Sequence, residues 1–439
     1  MRPTVRSLLA VPVAALFLAV ISTPAQAASG PGEPQTWAVD SSTTGVLVED
    51  HRVPLVEWRL VLPVGQWSAW PPRSYAVGAA WELQFQDPRG ALRARADRLA
   101  ADVTFSSDAH SFTLAVGCRK EDLDSVRVLV RDLLANRDFD SREIARRNRT
   151  NEIDWKAGQR NPDFMLGLTA RRLLWRKDDP RAWPLQPWRI GNDVARLAAA
   201  RDSLLRFPGR FVGFAGDLTR AEAERWAVSL LPPAMSPPAI MLESGLKPVR
   251  PAEQRPREKV VPLPRLTQVY FKYVRHALPL DAPDWPALLV ANHVLGGNFY
   301  SRLSSALRHE GGYTYSVSSA FGVEPDTTMY EIGTYTRTAS ADTVERRILE
   351  VLATFRERGI TEEERAAAAG YFVGRRAFQR QSPAQVLDRF LWERVRGLAP
   401  GARDAAVDRA VALPLDEINA AIRRFYDPAV FTMIRARAK

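Results

Sequence analysis

Two residues seven positions apart, Arg308 and Tyr315, carry the clearest chemical potential in this 439-residue chain. Arg308 offers a planar fork of N–H donors that matches a carbonyl or carboxylate, and Tyr315 offers a phenolic donor. Both stand in Leu295–Val317, LGGNFYSRLSSALRHEGGYTYSV. A buried helix is predicted to end at Gly296-Gly297, and an Arg-bearing helix to run from about Tyr300 to His309. Gly311-Gly312 then stops it, because glycine takes the left-handed conformation that terminates a helix. Alternation of Tyr313, Tyr315 and Val317 predicts a strand with both phenols on one face. A cation and a phenol would thus converge at the mouth of a helix-to-strand turn, an arrangement suited to gripping a peptide carbonyl.

Other chemistry is scarce. The five histidines are His51, His110, His276, His293 and His309, and no two stand three to five residues apart, as a zinc-binding pair on one helix would. Cys118 is the only cysteine, so no intrachain disulfide can form and stability must come from the core. An apolar content of 46% and a charged content of 25% leave ample material for that core. The formal charge of +11 is spread through Arg-rich helices without a nucleic-acid motif, which reads as a basic solvated surface.

The elements that must position Arg308 and Tyr315 follow from periodicity. Residues 1–27 read as a signal peptide: Arg2 and Arg6, an apolar run Leu8–Ile21, and the small-x-small site Ala25-Gln26-Ala27. Export to the periplasm, or secretion, is expected, and no later stretch is apolar for long enough to cross a membrane. Removing Arg2 and Arg6 takes the charge from +11 to about +9. Residues 28–231 form one half. It contains strands at Gly45–Gly65, Phe105–Cys118 and Phe211–Gly216, a stretch Ser74–Arg89 between the first two, and helices after Glu121-Asp122, after an Asp140/Glu143 capping box, at Phe164–Trp175 and at Asp193–Phe207. Residues 232–264 hold nine prolines and lose apolar periodicity, so they read as an extended linker. Residues 265–439 form a second half of similar order, with strands at Thr267–Val274 and Thr328–Tyr335, a helix at Pro286–Leu295, and a Thr361/Glu364 capping box opening a long Ala-rich helix.

On Leu295–Val317, with Asp281–Leu295 before it and GFAGDLT at Gly213–Thr219, the chain resembles the pitrilysin/insulinase family of metallopeptidases, the inverzincins. The resemblance implies an α+β fold of two homologous α/β-roll halves, each an antiparallel-rich sheet covered by helices, joined by the proline-rich linker in a clamshell-like whole. It also implies that Arg308 and Tyr315 fall on the Arg and Tyr that reach substrate at a zinc site. In the family's other half, H-x-x-E-H supplies two zinc ligands and the Glu that activates water. Aligned on Gly78 and Ala80, this chain has Trp81, Gln84 and Phe85 at those positions, while Glu152 matches the third ligand and Ala145 replaces an acidic residue seven positions earlier. Trp and Phe have no lone pair to give, and Gln84 cannot act as a base.

What the resemblance implies is therefore a zinc-less, non-catalytic subunit of an exported heterodimeric peptidase. It would bind no metal or cofactor of its own, add Arg308 and Tyr315 to a zinc-bearing homologous partner, and bind extended peptides. The alternative is a peptide-binding or scaffolding protein without a peptidase partner.

Overall fold

The computed structural model describes residues 31–65, 81–85, 90–177, 179–182, 193–232, 258–324 and 328–439. The expected leader 1–27, residues 233–257 of the expected linker, and all of Ser74–Arg89 except 81–85 lie outside the described residues. No described helix is long and apolar enough to cross a membrane.

Two sheets carry the molecule, and they repeat one topology. The first contains β1 (Gln35–Asp40), β2 (Thr43–Glu49), β3 (Leu55–Leu62), β4 (Asp102–Ser107), β5 (Phe112–Arg119) and β6 (Arg210–Gly216), in the order β1-β2-β6-β3-β5-β4. The second contains β7 (Glu258–Leu263), β8 (Gln268–His276), β9 (Val317–Phe321), β10 (Met329–Arg337) and β11 (Thr432–Ala438), in the order β7-β11-β8-β10-β9. Setting β1 aside, each sheet runs first-fifth-second-fourth-third in its own chain order. In both, the first and last strands pair in parallel and the rest are antiparallel. The α+β class and the two-half repeat expected from the sequence are therefore present. β2 and β3 follow one another through the turn at Asp50-His51, yet β6 lies between them.

Burial follows the periodicity that the sequence announces. β5 alternates buried Phe112, Leu114, Val116 and Cys118 with half-buried partners, whereas β3, flanked on both sides and covered on both faces, is buried almost throughout. The first half adds helices α1 (Ala91–Arg98), α2 (Leu123–Ala135), α3 (Ser141–Gly158), α4 (Pro162–Leu174), α5 (Val194–Leu205) and α6 (Arg220–Leu230). Val126, Leu129, Val130 and Leu133 of α2 join Ala223, Trp226 and Ala227 of α6 in one core over the first sheet. Each Leu or Val buried this way contributes about 1.5–3 kcal/mol. Asp140 caps α3 by accepting from the Arg142 N–H, but Glu143 turns to Arg146, so the expected box is not closed.

The second half adds α7 (Trp285–Leu295), the short α8 (Arg302–Ser304), α9 (Ala341–Arg358), α10 (Glu362–Phe378), α11 (Pro383–Val395), α12 (Ala402–Ala412) and α13 (Leu415–Phe425). Both hydrogen bonds of the Thr361/Glu364 capping box are present at the start of α10.

One boundary needs correction. Residues 258–263 fall in the stretch read as linker, yet they form β7 and pair in parallel with β11. Pro262 is tolerated because β7 is an edge strand, where the missing N–H can face away from the ladder.

The halves exchange helices. Leu166, Ala170 and Leu174 of α4, from the first half, pack with Val261, Val274, Ile434 and Ala436 of the second sheet. Reciprocally, Val386, Leu387, Phe390 and Leu391 of α11 cover Val46, Val48, Val61 and Ala215 of the first sheet. Polar contacts add to the seam: ion pairs of Arg59 with Asp388 at 2.8 Å and Arg396 with Asp108 at 2.9 Å, and a hydrogen bond between His110 and Glu324 at 2.6 Å. Separating the halves would expose two apolar cores at once.

Candidate functional site

Arg308 reaches its position through a sequence of local constraints. The end of α7 is fixed against β9: the Ser319 N–H donates to the Gly296 carbonyl (3.0 Å), and the Ser319 hydroxyl donates to Asn292 Oδ1 (2.7 Å). A Cβ at Gly296 would lie 2.4 Å from Ser319 Oγ, so only glycine permits the approach. The expected helix from Tyr300 to His309 is instead α8 followed by a π-helical turn, Ser305–His309. Such single π turns recur at functional sites because they re-aim side chains relative to the preceding turn. Gly312, at φ +58°, ends this element as expected.

The two arginines of this segment have different fates. Arg302 makes a two-pronged ion pair with Glu364 (2.8 and 2.6 Å) and serves packing between α8 and α10. Arg308 has no carboxylate among the described residues. Its guanidinium carbon lies 4.2 Å from the Phe299 ring centre and 4.7 Å from that of Tyr315. It is held between two aromatic faces, and its side chain makes no hydrogen bond among the described residues.

Tyr315 is 74% exposed. The expected strand over Tyr313–Val317 begins only at Val317, so Tyr313 and Tyr315 do not share a strand face: Tyr313 packs into the second core while Tyr315 faces solvent. Alternation failed here because segment 313–316 is fastened by side chains rather than by a ladder. Thr334 donates to the Ser316 carbonyl (2.9 Å), Thr336 to the Tyr313 carbonyl (2.7 Å), and Thr314 to Ser316 (2.9 Å). The convergence of Arg308 and Tyr315 is nevertheless present. Phe299 was not singled out from the sequence; its signal was an aromatic pair, Phe299-Tyr300, at an expected helix start. Both rings are exposed, with His309 against them at 5.0 and 6.3 Å.

The positions matched to the zinc motif look inward. Residues 81–85 are helical, and Trp81, Gln84 and Phe85 are 0%, 1% and 5% exposed. Trp81 stacks on Phe112 at 4.6 Å and Phe85 packs on Phe105 at 5.8 Å. Gln84 donates to the Asn136 carbonyl (2.7 Å) and accepts from Arg201 (3.5 Å). Burial pulls the Arg201 guanidinium below its ordinary pKa, with Asp202 opposing. Glu152 lies on the outer face of α3, paired with Lys156 at 2.8 Å. Two apolar rings, an amide already engaged and a buried cation do not fit a zinc ion, so no step can be routed through one here.

Residues 211–369 match the family described as the peptidase M16 inactive domain. No curated protein matches the sequence. Among solved structures, a peptidase M16 inactive domain from Pseudomonas fluorescens is 18% identical, with a TM-score of 0.79 over 92% of this chain and 98% of its own. A protease from Helicobacter pylori is 14% identical, with a TM-score of 0.77 over 92% and 100%. The periplasmic protease PqqL from Escherichia coli is 15% identical, with a TM-score of 0.74, and this chain spans 99% of itself but only 49% of that larger protein. The fold is thus that of M16-like peptidases along nearly the whole chain, and residues 211–369 are similar to the peptidase M16 inactive domain.

Proposed function

We propose that this chain is the zinc-less subunit of an exported two-chain peptidase, inactive alone, that lends Arg308 and Tyr315 to a zinc-bearing partner of the same fold. The observation that carries the reading is Arg308, held between rings and without a carboxylate among the described residues, beside the exposed Tyr315, in a molecule whose motif positions Trp81, Gln84 and Phe85 are core. Arg308 would hold a carbonyl or carboxylate of an extended peptide. Tyr315 would donate to the oxyanion developing at the partner's metal, a contribution of about 3 kcal/mol to barrier lowering by analogy with other single oxyanion donors. β9 begins two residues after Tyr315 and is an edge strand, so a peptide can add to it through backbone hydrogen bonds. The exchanged helices argue that any clamshell closes between two chains rather than within this one. A relative about twice as long, the periplasmic PqqL, supports both that pairing and the expectation of export.

The test is peptide hydrolysis by this chain, by a zinc-bearing homologue from the same cell, and by their mixture. Activity should appear only in the mixture and fall by about 100-fold with Tyr315→Phe while association is unchanged. If mixing adds nothing and no complex forms, the binding or scaffolding role replaces this one.

A further inference from the structure

A second feature, independent of Arg308 and Tyr315, lies among α7, α10, α11 and α12. A cavity of about 170 Å³ opens there, with apolar walls formed by Leu280, Trp285, Leu289 and Phe372. Four arginines line it, Arg375, Arg376, Arg389 and Arg403, against one carboxylate, Asp404.

That carboxylate is oversubscribed. Asp404 takes Arg389 at 2.7 Å and Arg380 at 3.4 Å, while the Arg376 Nε stands 3.8 Å away, too far to donate a hydrogen bond. The buried Nε atoms of Arg376 and Arg389 have no acceptor among the described residues. Arg376 also pairs with Asp408 (2.6 Å) on the outside. Among the described residues the only hydrogen-bond partner of the Arg375 side chain is the Tyr371 hydroxyl. Arg403 makes no side-chain hydrogen bond or ion pair among the described residues; it rests on the Trp392 ring at 4.8 Å. Glu393 lies behind it, but its two oxygens accept from the backbone N–H groups of Gly401 and Arg403. Burial, then the neighbouring Arg389 and Arg375, press the Arg403 guanidinium below its ordinary pKa, with Glu393 and Asp404 opposing. Cations held beside an apolar wall with too few anions are stabilised by an anion brought from outside.

We propose that this cavity is a binding site for a small organic carboxylate bearing one apolar group, its head held by Arg403 and Arg375 and its tail against Trp285 and Phe372. Size sets the limit on the tail, since a cavity of about 150 Å³ accommodates a benzene ring. A branched aliphatic or aromatic side chain fits; a long acyl chain does not. The C-terminal residue of a peptide and a free short-chain acid share this chemistry.

The experiment is calorimetric titration of the full mature chain with four probes: N-acetyl-L-leucine, its amide N-acetyl-L-leucinamide, 4-methylpentanoate and acetate. N-acetyl-L-leucine or 4-methylpentanoate should bind at least about tenfold more tightly than both the amide and acetate. Preference for N-acetyl-L-leucine identifies a peptide terminus as the source, and equal or tighter binding of 4-methylpentanoate identifies a free acid. Arg403→Gln should weaken binding by about tenfold or more. Arg375→Gln, at an exposed position where folding is not at stake, should weaken it by at least about threefold. The proposal is overturned if neither acid binds at about 10 mM, if amide or acetate binds as well as the acids, or if Arg375→Gln leaves affinity unchanged.

Discussion

The connection from β3 to β4 in the first sheet and its counterpart from β8 to β9 in the second take two opposite forms in this molecule. In the first half it carries residues 81–85, whose Trp81 and Phe85 are stacked into the core and whose Gln84 is engaged by backbone and by a buried arginine. In the second half it carries the π turn and the segment to Tyr315, where an arginine is held between rings and a phenol faces solvent. Equal topology has therefore not preserved equal chemistry. One connection has become structure, and its stability rests on apolar contact. The other leaves hydrogen-bonding capacity unspent, which a fold does not do for its own stability.

The largest test of this contrast is the triple change Trp81→His, Gln84→Glu and Phe85→His. If the first connection is core, the change removes two buried ring contacts and should cost on the order of 3–5 kcal/mol or more, without acquiring zinc. Denaturant unfolding and metal analysis of the purified variant check this; stoichiometric zinc with stability retained would show an intact metal shell and collapse the distinction.

A smaller effect probes the seam that both connections depend on. His276 of β8 packs edge-on against Trp175, just beyond α4, at 5.4 Å. Burial, helped by Arg181 and Arg275 and opposed by a backbone hydrogen bond with Leu174, pushes its imidazole down to about 4 from an ordinary 6.5. Between those values the unfolded chain takes up a proton that the folded chain refuses. The stability due to neutral His276 is thus complete above pH 6.5 and is lost as pH falls toward about 4, by at most about 3 kcal/mol. Urea unfolding across that range should be less pH-dependent in His276→Gln than in the native chain, and identical slopes would remove His276 from the account.

The smallest expected effect sharpens the comparison from the other side. Tyr315→Phe removes a hydroxyl from a side chain that is 74% exposed, so it should shift unfolding by no more than about 0.5 kcal/mol. A loss comparable to that at Trp81 would mean that Tyr315 is packing after all.

Much of the scaffold was legible in the residues. Alternation in Phe112–Cys118, the stripe through α2, the Gly296 and Gly312 stops and the Thr361/Glu364 cap all act within a few residues, so local periodicity and turn chemistry suffice to read them. The misreadings share one cause. Pro262 marked a linker by composition, yet β11 accepts it at an edge; Tyr313 and Tyr315 alternate on paper, yet threonines of β10 fasten their segment outside the ladder. Likewise nothing local separates Arg302 from Arg308, and only the distant Glu364 decides that Arg302 is ion-paired whereas Arg308 meets no carboxylate among the described residues. By itself the sequence determined most element types, the absence of metal-binding side chains at Trp81 and Phe85, and the candidates Arg308 and Tyr315, because side-chain chemistry and short-range periodicity are written residue by residue. The tertiary structure decided the exchange of α4 and α11 between sheets, the aromatic clasp on Arg308 and the arginine-lined cavity, because each depends on residues far apart in the chain being brought within contact distance.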